Sequence, residues 1–291
     1  MKPNLATIVA VYKKSSYEIY SEKGDKEMKA YLEENDTDRQ AMIRSHDEQN
    51  RSYDSVMSVL KKHKLDFDFV YRGDLRQLIV ADLIISIGGD GTFLEVSHYL
   101  RKGIPVLGVN SDPDKSEGSF LPADRFTFED YLVKIMNGTL EPKELSRLEI
   151  ELNGKPIKEP VLNEIMVAHR IPAAGSRYII NVDGKSESQF SSGILVCSSS
   201  GQTGSMRSYG GIAMEPGSRL MQYKVIAPFF GKHFNPTKIT GITEQPIEII
   251  SKTRQGMFYV DGAHISYDFS IGDKIKAKIG EPLTAFVGDL K

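Results

Sequence analysis

The feature that most limits what this chain can fold into is a strand-like run that stops at glycines. Residues 82–87 read DLIISI, a short and nearly continuous apolar stretch, and Gly88, Gly89, Asp90, Gly91 and Thr92 follow. A run of that kind suits a parallel strand covered on both faces. Beyond it, Phe93, Val96, Tyr99 and Leu100 recur at helical spacing, which predicts a helix over 92–101 with Gly103 as its stop. A helix that starts directly after a strand offers unpaired N–H groups and a positive dipole end to a phosphate. The glycines are expected to adopt positive φ and to let a ligand approach the backbone. Asp90 falls at the carboxyl end of the strand, where open α/β sheets bind ligands and where a carboxylate can accept a proton from an attacking hydroxyl. The alternative is a plain turn with Asp90 capping the helix. Neither G-x-G-x-x-G spacing nor a GK[ST] ending is present, so the turn is neither an ordinary dinucleotide fingerprint nor a P-loop.

The flanking segments extend this pattern. Residues 5–12 read as a buried first strand, 38–63 as a helix with Lys61, Lys62 and His63 at its negative dipole end, and 66–71 as a second strand. Residues 104–109 are another buried strand, and 126–136 a helix ended by Asn137 and Gly138. Alternating strands and helices predict a doubly wound, Rossmann-like α/β domain over residues 1–142. From about Leu145 short β-rich runs replace the alternation, with hairpin signals at Asn153-Gly154 and Asp183-Gly184 and no convincing amphipathic helix. That predicts an all-β, sandwich-like domain over 143–279, with a tail from about 280 to 291 packing back on the first domain.

Composition narrows the partners. The chain has 291 residues and a formal net charge of -2, against the basic excess that nucleic-acid binding uses. A single cysteine, Cys197, rules out an internal disulfide and a thiolate zinc cluster. The apolar run near the N-terminus is too short for a membrane span and has no signal-peptide cleavage pattern, so a cytoplasmic protein is expected. The six histidines form no H-x-x-x-H pair or Ser-His-Asp arrangement and read as structural or surface residues.

Three further motifs carry polar chemistry. Asn163 and Glu164 sit within VLNEIMVAHR, where an amide can read a base edge or ribose and a carboxylate can accept from a ribose hydroxyl. The segment SSGILVCSSSGQTGS, residues 191–205, runs from a strand into a loop of small hydroxylated residues that can pack closely on a ligand. Asp261-Gly262 follows a late strand. Taken singly, these are equally a polar strand start, a surface loop and a hairpin turn.

Taken in this order, the four motifs resemble the NAD kinase family, and YKKSSYEIY, GVNSDPDKSEGSF and SRYIINVDG resemble its mitochondrial-type branch. The resemblance implies transfer of the γ-phosphate of ATP to the adenosine 2′-hydroxyl of NAD, with Mg²⁺ accompanying the donor. It implies Asp90 as general base and Gly88, Gly89, Gly91 and Thr92 as the donor-phosphate turn. It further implies Asn110, Asp112, Asn163, Glu164, Ser200, Gly201, Thr203, Gly204 and Asp261 as NAD-binding residues. A cleft between the two domains, no nucleic-acid or membrane partner, and a homodimer or homotetramer are also implied. This chain departs from the family in its loop core, SSSGQTGS, with Ser205 at an aromatic position and Gln202 at a small one. Two alternatives share part of the pattern. A lipid or sphingoid-type kinase has GGDGT but needs a long apolar pocket, and a nucleotide-binding sensor keeps the fold without turnover.

Overall fold

A computed structural model describes residues 5–288, apart from the side chains of Ser21 and Glu22. Residues 1–4 and 289–291, the start of the N-terminal run and the end of the expected returning tail, lie outside the described residues. The chain divides into two compact units, residues 5–143 with 284–288 and residues 144–283.

The first unit runs β1 (Ile8–Tyr12), α1 (Ser16–Lys23), α2 (Lys26–Glu34), α3 (Asp36–Lys62), β2 (Phe67–Tyr71), β3 (Leu83–Gly88), α4 (Asp90–Ser97), β4 (Val106–Asn110), β5 (Ala123–Asp124), α5 (Phe128–Asn137) and β6 (Lys143–Leu145). The second holds β7 (Leu148–Leu152), β8 (Lys155–Pro156), β9 (Glu164–His169), β10 (Ser176–Val182), β11 (Lys185–Ser191), β12 (Gly193–Ser198), α6 (Ser205–Ser208), β13 (Met221–Ile226), β14 (Thr240–Thr243), β15 (Ile247–Ser251), β16 (Gly256–Val260), β17 (Ile265–Asp268) and β18 (Lys274–Ile279). The last strand, β19 (Leu283–Phe286), returns to the first sheet.

The first sheet has the order β2-β1-β3-β4-β19-β6, with β5 beside β4. Its pairings from β2 through β19 are parallel. All six residues of β3 are buried, as a strand covered on both faces requires. Leu83, Ile85 and Ile87 share one core with Val56 and Leu60 of α3 and Phe128, Leu132 and Ile135 of α5. The opposite pleat carries Ile84, while Phe93 of α4 stacks on Phe120 with ring centroids 5.3 Å apart. Helix α5 ends at Gly138, left-handed at φ 70°. The C-terminus of α3 meets the first turn of α5, where Lys62 and His63 lie 2.7 and 2.8 Å from Glu129. Hydrogen bonds from Lys62 and His63 hold the Glu129 carboxyl below the usual range.

Two expectations need correction. Helix α4 starts at Asp90 and stops at Ser97, short of Arg101. The Ser97 hydroxyl donates to the Leu94 carbonyl at 2.7 Å, and the N–H groups of Tyr99 and Leu100 turn back on Val96 and Ser97, tighter closures than an α-helix makes. Gly103 is left-handed at φ 86° but belongs to a separate turn. Helices α1 and α2 were not expected in a segment this polar. Helix α2 is capped by Asp25, which accepts from the Met28 N–H at 2.9 Å.

The second unit has two antiparallel six-stranded sheets, β11-β10-β15-β18-β7-β8 and β14-β13-β12-β9-β16-β17. Their inner faces share one core, with Ile150, Ile180, Ile249 and Ile275 from the first and Val167, Val196, Val225 and Phe258 from the second. This is sandwich architecture built on period-2 burial. Asp183 and Gly184, at φ 53° and 71°, make the tight turn of the β10–β11 hairpin, and Asn153 and Gly154 do the same between β7 and β8. Helix α6 has four residues and follows a 3₁₀ turn over Ser199–Thr203; these are the unit's helical segments.

Candidate functional site

The glycine turn works differently from the expectation. None of Gly88, Gly89 and Gly91 has positive φ. Gly88 is required by packing, because a Cβ there would stand 2.3 Å from the Thr92 hydroxyl one turn ahead. Gly91 faces open space, with nothing within 4 Å of where a Cβ would be, so its backbone is approachable. Asp90 does not cap its helix. Gly89 is the cap residue, and the Asp90 carboxylate turns to the loop after β4, where Oδ2 accepts from the Ser119 N–H and Oδ1 from the Phe120 N–H, both at 3.1 Å. Those amides hold the carboxylate in place at the carboxyl end of β3. Each oxygen keeps a lone pair for an incoming proton.

The loop after β4 lies against the turn. Ser111 N–H donates to the Gly88 carbonyl at 3.0 Å. The Asn110 amide is engaged within its own loop, accepting from Asp112 N–H at 3.1 Å and donating to the Ser116 carbonyl at 3.2 Å. Asp112 is buried and accepts from the Ser45 hydroxyl of α3 at 2.8 Å. Both side chains, expected to bind ligand, make these contacts within the first unit.

Beside the turn lies a cavity of about 480 Å³ lined by Gly89, Gly91 and Thr92 together with Lys13, Lys14, Arg72 and Lys115. Arg72, in the 3₁₀ turn after β2, donates to the Thr92 hydroxyl at 3.3 Å and pairs with Glu95 at 3.2 Å. Burial pushes the Lys13 ammonium below its ordinary range, the Arg72 charge pushes the same way, and Asp112 opposes them. None of these cations was singled out in the sequence. The available signal was the pair Lys13-Lys14 directly after the first strand.

In the second unit Asn163, Glu164, Gly201, Gly204 and Asp261 converge. Asn163 precedes β9 and Glu164 opens it. The Asp261 carboxylate accepts from the N–H groups of Leu162, Asn163 and Glu164 at 2.9, 2.7 and 3.1 Å. Its carboxylate thus holds the Asn-Glu pair in place. A Cβ on Gly201 would stand 1.7 Å from the Asn163 carbonyl oxygen, and one on Gly204 would stand 2.8 Å from Glu164 Oε2. Only glycine lets the 3₁₀ turn lie this close. Asn163 Oδ1, Glu164 Oε2 and Ser200 Oγ are buried with no hydrogen-bond partner. Burial pushes the Glu164 carboxyl above its ordinary range; Asp261 adds to that and Ser205 opposes it.

The segment after β12 is a packed 3₁₀ turn and not a surface loop. Ser198 and Ser199 donate to the carbonyls of Ser146 and Ser218 at 2.7 and 3.0 Å. Gln202 donates to the Met214 carbonyl at 2.7 Å and accepts from the Met214 N–H. Gln222 pairs with Ile212 in the same two-bond manner. The Gln202 side chain is thus engaged in tying down residues 212–214. Thr203 lies half-buried at the end of the turn. Cys197 is buried in β12, and burial pushes its thiol well up, which leaves it unreactive.

Residues 6–112 match the family model for the ATP-NAD kinase N-terminal domain. A rice (Oryza sativa subsp. japonica) protein described as a probable NADH kinase is 33% identical over 250 residues, 78% of this chain and 77% of the relative. Human mitochondrial NAD kinase 2 is 26% identical over 245 residues, 67% of this chain and 55% of the relative. The crystal structure of an NAD kinase from Archaeoglobus fulgidus in complex with ATP shares the fold. Its TM-score is 0.67 at 24% identity, covering 97% of this chain and 94% of that one.

Proposed function

The chain belongs to the ATP-NAD kinase family, and from that premise we propose that it transfers the γ-phosphate of ATP to the adenosine 2′-hydroxyl of NAD or NADH. The observation that carries the reading is the carboxylate of Asp90. It is held by two backbone N–H groups at the end of β3, between the two glycines that line a cation-rich cavity. Phosphoryl transfer asks chiefly for positioning and charge neutralisation. Asp90 accepts the hydroxyl proton as the phosphoryl group leaves the donor. The backbone of Gly89 and Gly91 and the start of α4 receive the donor phosphates.

The acceptor is assigned to Asn163, Glu164, Ser200, Thr203 and the turn through Gly201 and Gly204. The unpaired atoms of Asn163, Glu164 and Ser200 support that assignment, because buried polar atoms are otherwise costly to leave unpaired. Asp261 is assigned a positioning role, and so are Asn110 and Asp112. Among the described residues no group of three His, Cys, Asp or Glu side chains forms a metal site. Mg²⁺ is assigned to the donor phosphates, since Mg²⁺ keeps water and phosphate ligands and needs few from protein. When bound it would supply neutralisation of the donor's charge.

A homodimer or homotetramer in the cytoplasm, without nucleic-acid or membrane partners, completes the proposal. Among the described residues no helix is long and apolar enough to cross a membrane. Incubation with Mg-ATP and either NAD or NADH tests the activity directly. NADP or NADPH formation, read in a coupled dehydrogenase assay, is the expected result; dinucleotide binding without product would leave a sensor instead.

A further inference from the structure

Asp90 and Phe93 stand three residues apart on α4, so their side chains share one face of the helix. Both meet the same short piece of chain after β4. Ser119 and Phe120 give the Asp90 carboxylate its two N–H donors, and the Phe120 ring stacks on Phe93 with the ring planes 6° apart. Both rings are buried, at 0% and 1% exposure. The piece itself is a tight turn. Gly118 is left-handed at φ 65°, and the Leu121 N–H closes on the Gly118 carbonyl at 2.9 Å. The turn thus presents two successive N–H groups to one carboxylate, an arrangement that suits an anion. It also rests on β4 at Gly108, where a Cβ would stand 2.4 Å from the Leu121 side chain and 2.8 Å from the Phe120 carbonyl oxygen. Both carboxylate contacts are 3.1 Å, at the long end of the N–H···O range, so they do not by themselves fix how far the turn lies from α4. The stacked rings are the packed contact at that place.

We propose that Phe93 and Phe120 are positioning residues for Asp90. Their stacked rings set the distance between α4 and the turn at Gly118–Leu121, and the N–H groups of Ser119 and Phe120 pass that distance on to the carboxylate. Neither ring takes or gives a proton. A base works only within hydrogen-bond reach of the proton it accepts, and a misplacement of about 1 Å can cost about a hundredfold in rate. When the stack is lost the turn shifts, and the carboxylate follows its donors. The groups assigned to ATP and to NAD are other residues, so binding is spared. The inference deepens the phosphotransfer reading by naming what aims the base, and it rests on that reading for the role of Asp90 in turnover.

The test compares Phe93→Leu, Asp90→Asn and the double variant with wild type, all as the full chain. In Phe93→Leu kcat should fall about ten- to a hundredfold while KM for ATP and for NAD stays within about twofold. The double variant should be no slower than Asp90→Asn alone, because a base that is gone cannot be misplaced. Amide exchange at Ser119 and Phe120, read by NMR without substrates, should speed about tenfold or more in Phe93→Leu. Thermal melts check that each variant is folded, and Phe120→Leu, which removes the other ring, stands in if Phe93→Leu is not. Rate losses that multiply in the double variant, a KM that rises while kcat holds, or unchanged exchange at both amides in a folded variant overturns the positioning role. Faster exchange in a chain whose wild type makes no NADP keeps the hold on Asp90 and removes the phosphotransfer reading. NADP formation with unchanged exchange does the reverse.

Discussion

Replacing Glu164 with Gln should make the ligand-free protein more stable and a poorer binder of NAD. The Glu164 carboxyl is buried, its Oε2 has no partner, and the negative Asp261 is near enough to raise its pKa. A carboxyl with a raised folded pKa holds its proton more firmly folded than unfolded. Its cost is therefore absent below the ordinary value near 4.5 and grows as pH rises through the folded value. An unsatisfied buried polar group costs about 1–3 kcal/mol. The amide in the Glu164→Gln variant would carry no charge, so at pH 8 the variant should gain part of that, about 1–2 kcal/mol. In a unit of this size each kcal/mol moves the melting temperature by roughly 2–4 °C. Binding should move the other way, because a hydrogen bond to a charged acceptor contributes about 1.5–3 kcal/mol. The dissociation constant for NAD should rise by roughly ten- to a hundredfold. Differential scanning fluorimetry across pH 4–8 and calorimetric NAD titration read the two effects. The gain in melting temperature should shrink toward zero as pH falls below about 4.5, where the wild-type carboxyl is neutral in both states. A variant that melts at or below wild type at pH 8, or a gain that persists unchanged at pH 4, refutes the argument.

Other perturbations probe other parts. Asp90→Asn should lower turnover by about 10²–10⁴-fold, the usual contribution of a general base, while circular dichroism shows the fold intact; near-wild-type turnover would remove Asp90 from the chemistry. Gly201→Ala places a methyl 1.7 Å from a backbone oxygen, so denaturant unfolding should show a loss of about 1–3 kcal/mol and the KM for NAD should rise. Gln202→Ala breaks both bonds to Met214; it should cost about 1–3 kcal/mol and speed amide exchange at Met214, and unchanged exchange would show that the pairing holds nothing.

The strand-turn-helix at residues 83–97 and the β-rich second half were legible because continuous burial and hairpin turns leave local marks, such as the six buried residues of β3 and the Asp183-Gly184 turn. Helices α1 and α2 were not legible. Few of their side chains are buried, so little apolar periodicity marks them, although Asp25 offered an ordinary capping signal. The reason for Gly88 was misread, since positive φ is a property of one residue and the Thr92 contact is a property of two. The cation-lined cavity was invisible for a related reason. Lys13, Gln49 and Arg72 come from three elements, and no spacing in the sequence announces that they share a space. At Gln202 the substitution is visible in the sequence, but its partner, Met214, is twelve residues on and emerges only from the folded backbone.

The strand β19 has a consequence for how the protein is made. It adds parallel to β4, and β6 flanks it on the other side. The first sheet therefore waits for residues synthesised after the whole of the second unit. During translation the second unit can close on its own strands while the first still lacks an interior member of its sheet. Released chains truncated after Gly280 should accordingly show a protease-resistant second unit and a first unit still open to cleavage. Protection of the first unit should appear only once Leu283–Phe286 is available to pair with β4.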